Sequence, residues 1–108
     1  MKTNRLVIAL FFAFIGFAIV LAQAPASDAS LATNPIYQKN CAKCHGKTAE
    51  GRTFAGPSLI SKKTAAMKTE DMHNIIDKGK GRMPKFASKL TLEEIDALVR
   101  QVQTLNGK

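Results

Sequence analysis

Five consecutive residues, Cys41-Ala42-Lys43-Cys44-His45, constrain this chain more than anything else in it. They hold both cysteines of the 108-residue protein and one of its two histidines. A Cys-x-x-Cys disulfide closes so short a loop that it barely restricts the unfolded chain. These cysteines therefore cannot be the staple that small secreted folds usually rely on. Any stabilising role they have must come through something they bind.

The N-terminus sets the compartment. Lys2 and Arg5 precede an uncharged apolar run, Leu6 to Leu21, and small residues follow in "AQAPASDAS". A positive start, an apolar run and a small-residue exit are the parts of a secretory signal peptide. Pro25 disfavours cleavage after Ala24, so the expected cut follows Ala26 and residues 1–26 are the signal peptide. The competing expectation is a retained membrane anchor, although the run is short of the roughly 20 residues a span needs. The expected location is the periplasm. Residues 27–33 read as a short polar linker and residues 34–108 as one domain, too short to bury a large core unaided.

The formal net charge is +8. Removing two signal-peptide cations leaves about +6, with lysines scattered through the middle and Glu93, Glu94 and Asp96 near the end. That balance suits steering toward acidic partner proteins and tolerates an anionic membrane surface without requiring one. Nucleic acid is excluded as a partner by the extracytoplasmic address and the lack of aromatic-basic interleaving.

Helical signals dominate, and no segment alternates like a strand. Asn34-Pro35 reads as an N-cap and first helical position, placing Ile36, Tyr37, Asn40, Cys41 and Cys44 near one face up to Gly46. Residues 46–68 read as loop. A helix is expected after an N-cap at Thr69, ending at Gly79. "KGKGRMPKF" is irregular because residues before Pro84 avoid helix. Thr91 to Glu94 forms a capping box, with Leu90 and Ile95 as its staple. Leu92, Ile95, Leu98, Val99, Val102 and Leu105 then recur at three and four. Phe54, Leu59, Ile60, Ile75, Ile76 and Phe86 are the remaining candidates for a core or a cofactor pocket.

Two thiols one turn apart, followed at once by an imidazole, match the Cys-x-x-Cys-His pattern of covalent haem attachment. The thiols suit the two vinyl groups on one haem edge, and His45 then lies next to the iron. Two other chemistries are weaker fits. A redox dithiol would need a thioredoxin-like sheet. A zinc site would need Cys41, Cys44, His45 and His73 together, with an awkward adjacent Cys-His chelate.

With "YQKNCAKCHG", "GPSL" and "GRMPKF" in this order, ahead of an amphipathic last helix, the chain resembles the class I c-type cytochromes, in particular the small soluble bacterial monohaem type. The resemblance implies an all-α fold of three to four short helices and long loops wrapped around one covalently attached haem c. It implies thioethers at Cys41 and Cys44, His45 as proximal ligand, the Pro57 carbonyl as hydrogen-bond acceptor for His45, and Met83 as distal ligand. Tyr37 would sit where the first and last helices cross, against Leu98, Val99 and Val102. Many members carry glycine at the position of Thr33, a departure that leaves the closeness of the crossing open and does not touch the haem.

Among the three methionines beyond the signal peptide, Met67 and Met72 read as packing, while Met83 stands in the extended segment held by Pro84. His73 reads as a surface residue, and Arg52, Lys62 and Lys63 as candidates to meet the haem propionates. The implied function is one-electron transfer by a non-enzymatic monomer that exchanges electrons with an acidic oxidase, reductase or dehydrogenase. A haem-based ligand binder or sensor with a labile Met83, and a dedicated cytochrome module of a dehydrogenase or oxidase complex, are the alternatives.

Overall fold

A computed structural model describes residues 30–108; the expected signal peptide and the first three linker residues lie outside the described part. The described chain is helical, with no strand and only two isolated β-bridges, Arg52 with Gly56 and Lys80 with Met83. A 3₁₀ turn at Leu31–Thr33 is followed by α1 (Pro35–Asn40), α2 (Ala42–His45), α3 (Lys62–Ala66), α4 (Thr69–Lys78) and α5 (Leu92–Leu105). Among the described residues no helix is long and apolar enough to cross a membrane.

Apart from α2, which opens at a break that no side-chain cap signals, each helix begins where local chemistry predicts, with two exceptions. Asn34 caps α1, its Oδ1 accepting from Ile36 N at 2.9 Å and Tyr37 N at 3.4 Å. Thr91 and Glu94 form the reciprocal capping box of α5. The first exception is α4, where Lys68 holds the cap position and Thr69 is already helical. Thr69 Oγ1 instead accepts from Gln103 Nε2 of α5 at 2.6 Å. The second is α3, inside the segment expected to be loop. Ser61 starts it, with its Oγ accepting from Thr64 N at 3.1 Å.

The core is built from Leu31, Tyr37, Ala42, Ala49, Met72, Phe86, Leu90, Ile95, Leu98, Val99 and Val102. Tyr37 does share this core with Leu98, Val99 and Val102. Burying a side chain such as Leu31, Ile95 or Leu98 stabilises the fold by about 1.5–3 kcal/mol. Leu31, only 2 % exposed, comes from the stretch that composition marks as linker. Thr33 is exposed and outside the crossing. Leu31 and Asn34 are buried in its place, and Asn34 Nδ2 donates to Gln101 Oε1 of α5 at 2.8 Å. On the other flank, α4 and α5 are joined by His73 Nε2 and Asp96 Oδ1 at 3.2 Å, so His73 is a paired helix-helix residue.

Four residues expected in the core, a cofactor pocket or the apolar stripe are exposed to solvent: Phe54 at 95 %, Leu92 at 65 %, Ile60 at 49 % and Leu105 at 39 %. Leu92 is the first residue of α5, one position after its cap and before the helix has turned its stripe inward. Phe54 and Ile60 belong to the irregular chain between α2 and α3, where residue type does not fix direction.

Candidate functional site

The Cys-x-x-Cys-His segment is not one continuous helix. Cys41, with φ −116°, closes α1 and opens α2. Cys41 N donates to Tyr37 O at 2.8 Å, while its own carbonyl accepts from Cys44 N at 3.1 Å and His45 N at 2.9 Å. This junction leaves Cys41 half-buried and Cys44 exposed, and neither forms a disulfide. Burial, followed by the neighbouring Cys44, pushes the Cys41 thiol up to about 11. A catalytic dithiol needs the opposite shift.

His45, at the end of α2, is 9 % exposed. Its Nδ1 lies 2.8 Å from the carbonyl oxygen of Pro57. A carbonyl can only accept, so Nδ1 carries the proton, and in the neutral ring Nε2 keeps a free lone pair. The loop that delivers Pro57 is compact. Arg52 N donates to Gly56 O at 2.9 Å, Gly56 N donates to Arg52 O at 3.2 Å, and Gly51 N donates to His45 O at 2.6 Å. A Cβ on Gly56 would lie 2.9 Å from Cys44 O and 3.1 Å from Cys44 C. Only glycine lets the two backbones approach this closely, and that approach brings Pro57 to His45.

Tyr37 fastens the same end of α2. Its hydroxyl donates to Gly46 O at 2.7 Å from a fully buried position. Burial foremost, with Cys41 and Glu50 adding to it, pushes the phenol up to about 12.

Met83 stands in a four-residue turn closed at both ends: Lys80 N donates to Met83 O at 3.1 Å and Met83 N to Lys80 O at 3.0 Å. The turn is moored to α4 through Phe86 N to Ile76 O at 3.0 Å and Ala87 N to Asp77 O at 3.2 Å. The Met83 side chain is half-buried and packs against the core together with Ile36, Cys41, Leu59, Met67 and Ile76. The structure thus joins His45 directly to Pro57, and sets Cys41 and Met83 against one apolar core. Among the described residues no group of three or more His, Cys, Asp or Glu side chains could hold a metal ion, which removes the zinc site built on His73.

Residues 31–100 match the family described as cytochrome c oxidase, cbb3-type, subunit III. The chain belongs to this family of c-type cytochrome domains. Membership implies covalently bound haem c, and the donor set fits that group. It offers two thiols free of disulfide, an imidazole whose outer nitrogen is already engaged, and a thioether in a moored turn.

Solved structures agree on a class I cytochrome c fold. Cytochrome c6C from Synechococcus sp. PCC 7002 is 28 % identical, with a TM-score of 0.56 over 66 % of this chain and 89 % of its own. The KustC0563 c-type cytochrome, 24 % identical, has a TM-score of 0.61 over 71 % of this chain and 98 % of its own, and speaks for the fold alone. Dihydro-heme d1 dehydrogenase NirN, in complex with DHE, is 28 % identical with a TM-score of 0.58 over 63 % of this chain. The match takes in only 15 % of NirN's own length. Among curated proteins no relative matches.

Several residues of this cytochrome domain escape sequence reasoning. Arg52 Nη1 donates to Lys43 O at 2.9 Å, tying the Pro57 loop to α2. Ala49, fully buried at φ 65°, accepts from Leu59 N at 2.9 Å. Asn106 Nδ2 reaches Leu59 O and Val102 O, both at 2.8 Å, while its Oδ1 accepts from Ser61 N at 3.2 Å. All three act through backbone groups, which leave no mark on residue pattern.

Proposed function

We propose that this protein is a periplasmic one-electron carrier holding one haem c. Cys41 and Cys44 form the thioethers, His45 Nε2 is the proximal ligand and Met83 sulfur the distal one. The single observation that carries this is the 2.8 Å contact between His45 Nδ1 and Pro57 O. An engaged outer nitrogen fixes both tautomer and ring orientation, as metal-ligating histidines generally require. Haem c, when bound, supplies an iron that alternates between ferrous and ferric forms. The chain's part is to hold His45 against Pro57 and Met83 in its closed turn, and to keep water from the buried side of the site. A thioether is a soft ligand, so Met83 favours the ferrous form and raises the potential relative to a second histidine.

The protein is proposed as a carrier and not an enzyme. It works as a monomer. The charge of about +6 left after removal of the expected signal peptide favours acidic redox partners. Their contacts are expected to be small and transient.

A second reading is favoured by NirN, in which a comparable domain accounts for a small part of a larger chain. The protein would then be a module serving one dehydrogenase or oxidase complex. Spectra of the oxidised and reduced protein test the first reading. The carrier should show a weak long-wavelength ferric band from thioether ligation and should not bind carbon monoxide readily at neutral pH. Ready binding would instead mark a ligand sensor. Stable copurification with a large partner would favour the module.

A further inference from the structure

We infer that Phe54 is the apolar anchor by which an acidic redox partner docks beside Cys44, an inference that rests on the electron-carrier reading above. Phe54 is 95 % exposed, whereas Phe86, the other phenylalanine among the described residues, is buried in the core. A side chain lining a cleft keeps contact with the cleft walls. At this exposure Phe54 keeps almost none.

Its backbone is also unusual. Phe54 has φ 62°, a left-handed conformation that bulky residues rarely adopt and that Gly or Asn would occupy at less cost. Among the described residues the ring makes almost no contact that would compensate. Strain of this kind, held in place by its surroundings, is a feature of functional sites.

The surroundings do hold it. Phe54 is the middle residue of the turn closed by Arg52 and Gly56, with Ala55 N donating to Arg52 O at 3.1 Å. One base of that turn is fixed to α2 by Arg52 Nη1 and Lys43 O, 2.9 Å apart. The other base, Gly56, lies against the Cys44 backbone. The ring is therefore presented from a rigid turn seated on the exposed cysteine. Rigid presentation lowers the entropy lost on binding.

Charge selects the partner. Lys43, Lys47 and Arg52 line an adjacent open hollow of about 470 Å³. Glu50 is the one acid there, and its carboxylate is engaged by Thr48 N at 2.9 Å and Thr48 Oγ1 at 2.8 Å. An aromatic residue beside a charged rim is the usual anatomy of a protein interface. A second copy of this chain would bring like charges together, so the occupant is a different protein. It carries an acidic rim around an apolar socket.

The test uses haem-loaded protein on gold electrodes that reproduce this chemistry. One electrode carries carboxylate-terminated thiols alone; the other carries carboxylate- and methyl-terminated thiols mixed. Phe54→Ala should weaken adsorption to the mixed layer by about tenfold and leave the carboxylate layer unchanged. Phe54→Leu should stay within about threefold of wild type on both layers, because most of the apolar area remains. Lys43→Glu should weaken both layers.

Equal binding of wild type and Phe54→Ala to the mixed layer would overturn the inference. So would a shifted midpoint potential in Phe54→Ala, which would place the ring against the haem. A haem-loaded wild type with no reversible wave on either layer would defeat the carrier reading itself.

Discussion

Asn34 Nδ2 donates to Gln101 Oε1 at 2.8 Å, a buried side-chain bond between positions 67 apart in sequence. The same side chain accepts from Ile36 N and Tyr37 N through Oδ1. One amide therefore starts α1 and fastens it to α5. Asn34→Ala loses both a cap and a buried hydrogen bond, a loss of about 2–3 kcal/mol. Asn34→Asp keeps the cap acceptor but has no donor for Gln101 Oε1 and buries a charge, so it should also fall below wild type. Denaturant unfolding of the holoprotein measures both; a loss below about 0.5 kcal/mol in Asn34→Ala would show the bond to be idle.

Two glycines of the Met83 segment, Gly79 just before the turn and Gly81 inside it, should respond very differently to a methyl group. At Gly79, φ is 77° and an added Cβ would lie 2.6 Å from Met83 O and 3.0 Å from both Lys85 N and Pro84 C. All three are backbone atoms, so the turn must move. At Gly81, φ is 59° but nothing lies within 4 Å. Gly81→Ala should cost only about 1 kcal/mol for the left-handed conformation. Gly79→Ala should cost more than about 2 kcal/mol and weaken the long-wavelength ferric band as Met83 shifts. Equal effects at the two positions would deny that Gly79 sets the place of Met83.

If Met83 is the distal ligand, Met83→Ala removes that band, lowers the potential and opens the iron to carbon monoxide while the haem stays covalently attached. Met67→Ala should retain the band. Met72→Ala should also retain it, although Met72 is a core residue and its truncation costs about 2–5 kcal/mol. Survival of the band in Met83→Ala would transfer the assignment to Met67, which packs half-buried against the same core.

Tyr37 makes alkaline stability legible by absorbance, since the chain has one tyrosine and no tryptophan. Its phenol is pushed up to about 12 by burial, against 10.0 for the free group. Between those values the folded state binds more protons than the unfolded one, so stability falls as pH rises from 10 toward 12. Below pH 10 this group contributes no pH dependence. Tyrosinate absorbance should therefore appear near pH 12 or together with unfolding, and Tyr37→Phe should flatten that part of the stability curve. Tyrosinate formed at pH 10 in an intact fold would contradict the burial of Tyr37.

Signals that act over four or five residues could be read directly from the sequence. The Cys41–His45 motif, the Asn34-Pro35 start and the Thr91–Glu94 box each carry their own chemistry and need no distant partner. α3 could not be read, because Lys62–Ala66 has no apolar period and its start depends on Ser61, which Asn106 holds from the far end of the chain. The break at Cys41 was equally silent. That Phe54 and Ile60 stand outside the protein core was silent for a related reason: an apolar side chain in irregular chain points wherever the turn sends it. The Pro57 carbonyl could be named only by resemblance, since an acceptor on the backbone is the same whichever residue bears it.

The joining of Leu31 and Asn34 to α5 also has a mechanical consequence. If the protein is stretched between Ser30 and Lys108, the line of force enters at the 3₁₀ turn, crosses to α5 and leaves. The loops carrying Pro57 and Met83 lie off that line and remain slack until the crossing gives way. A pulling experiment should therefore meet its main resistance at the first rupture.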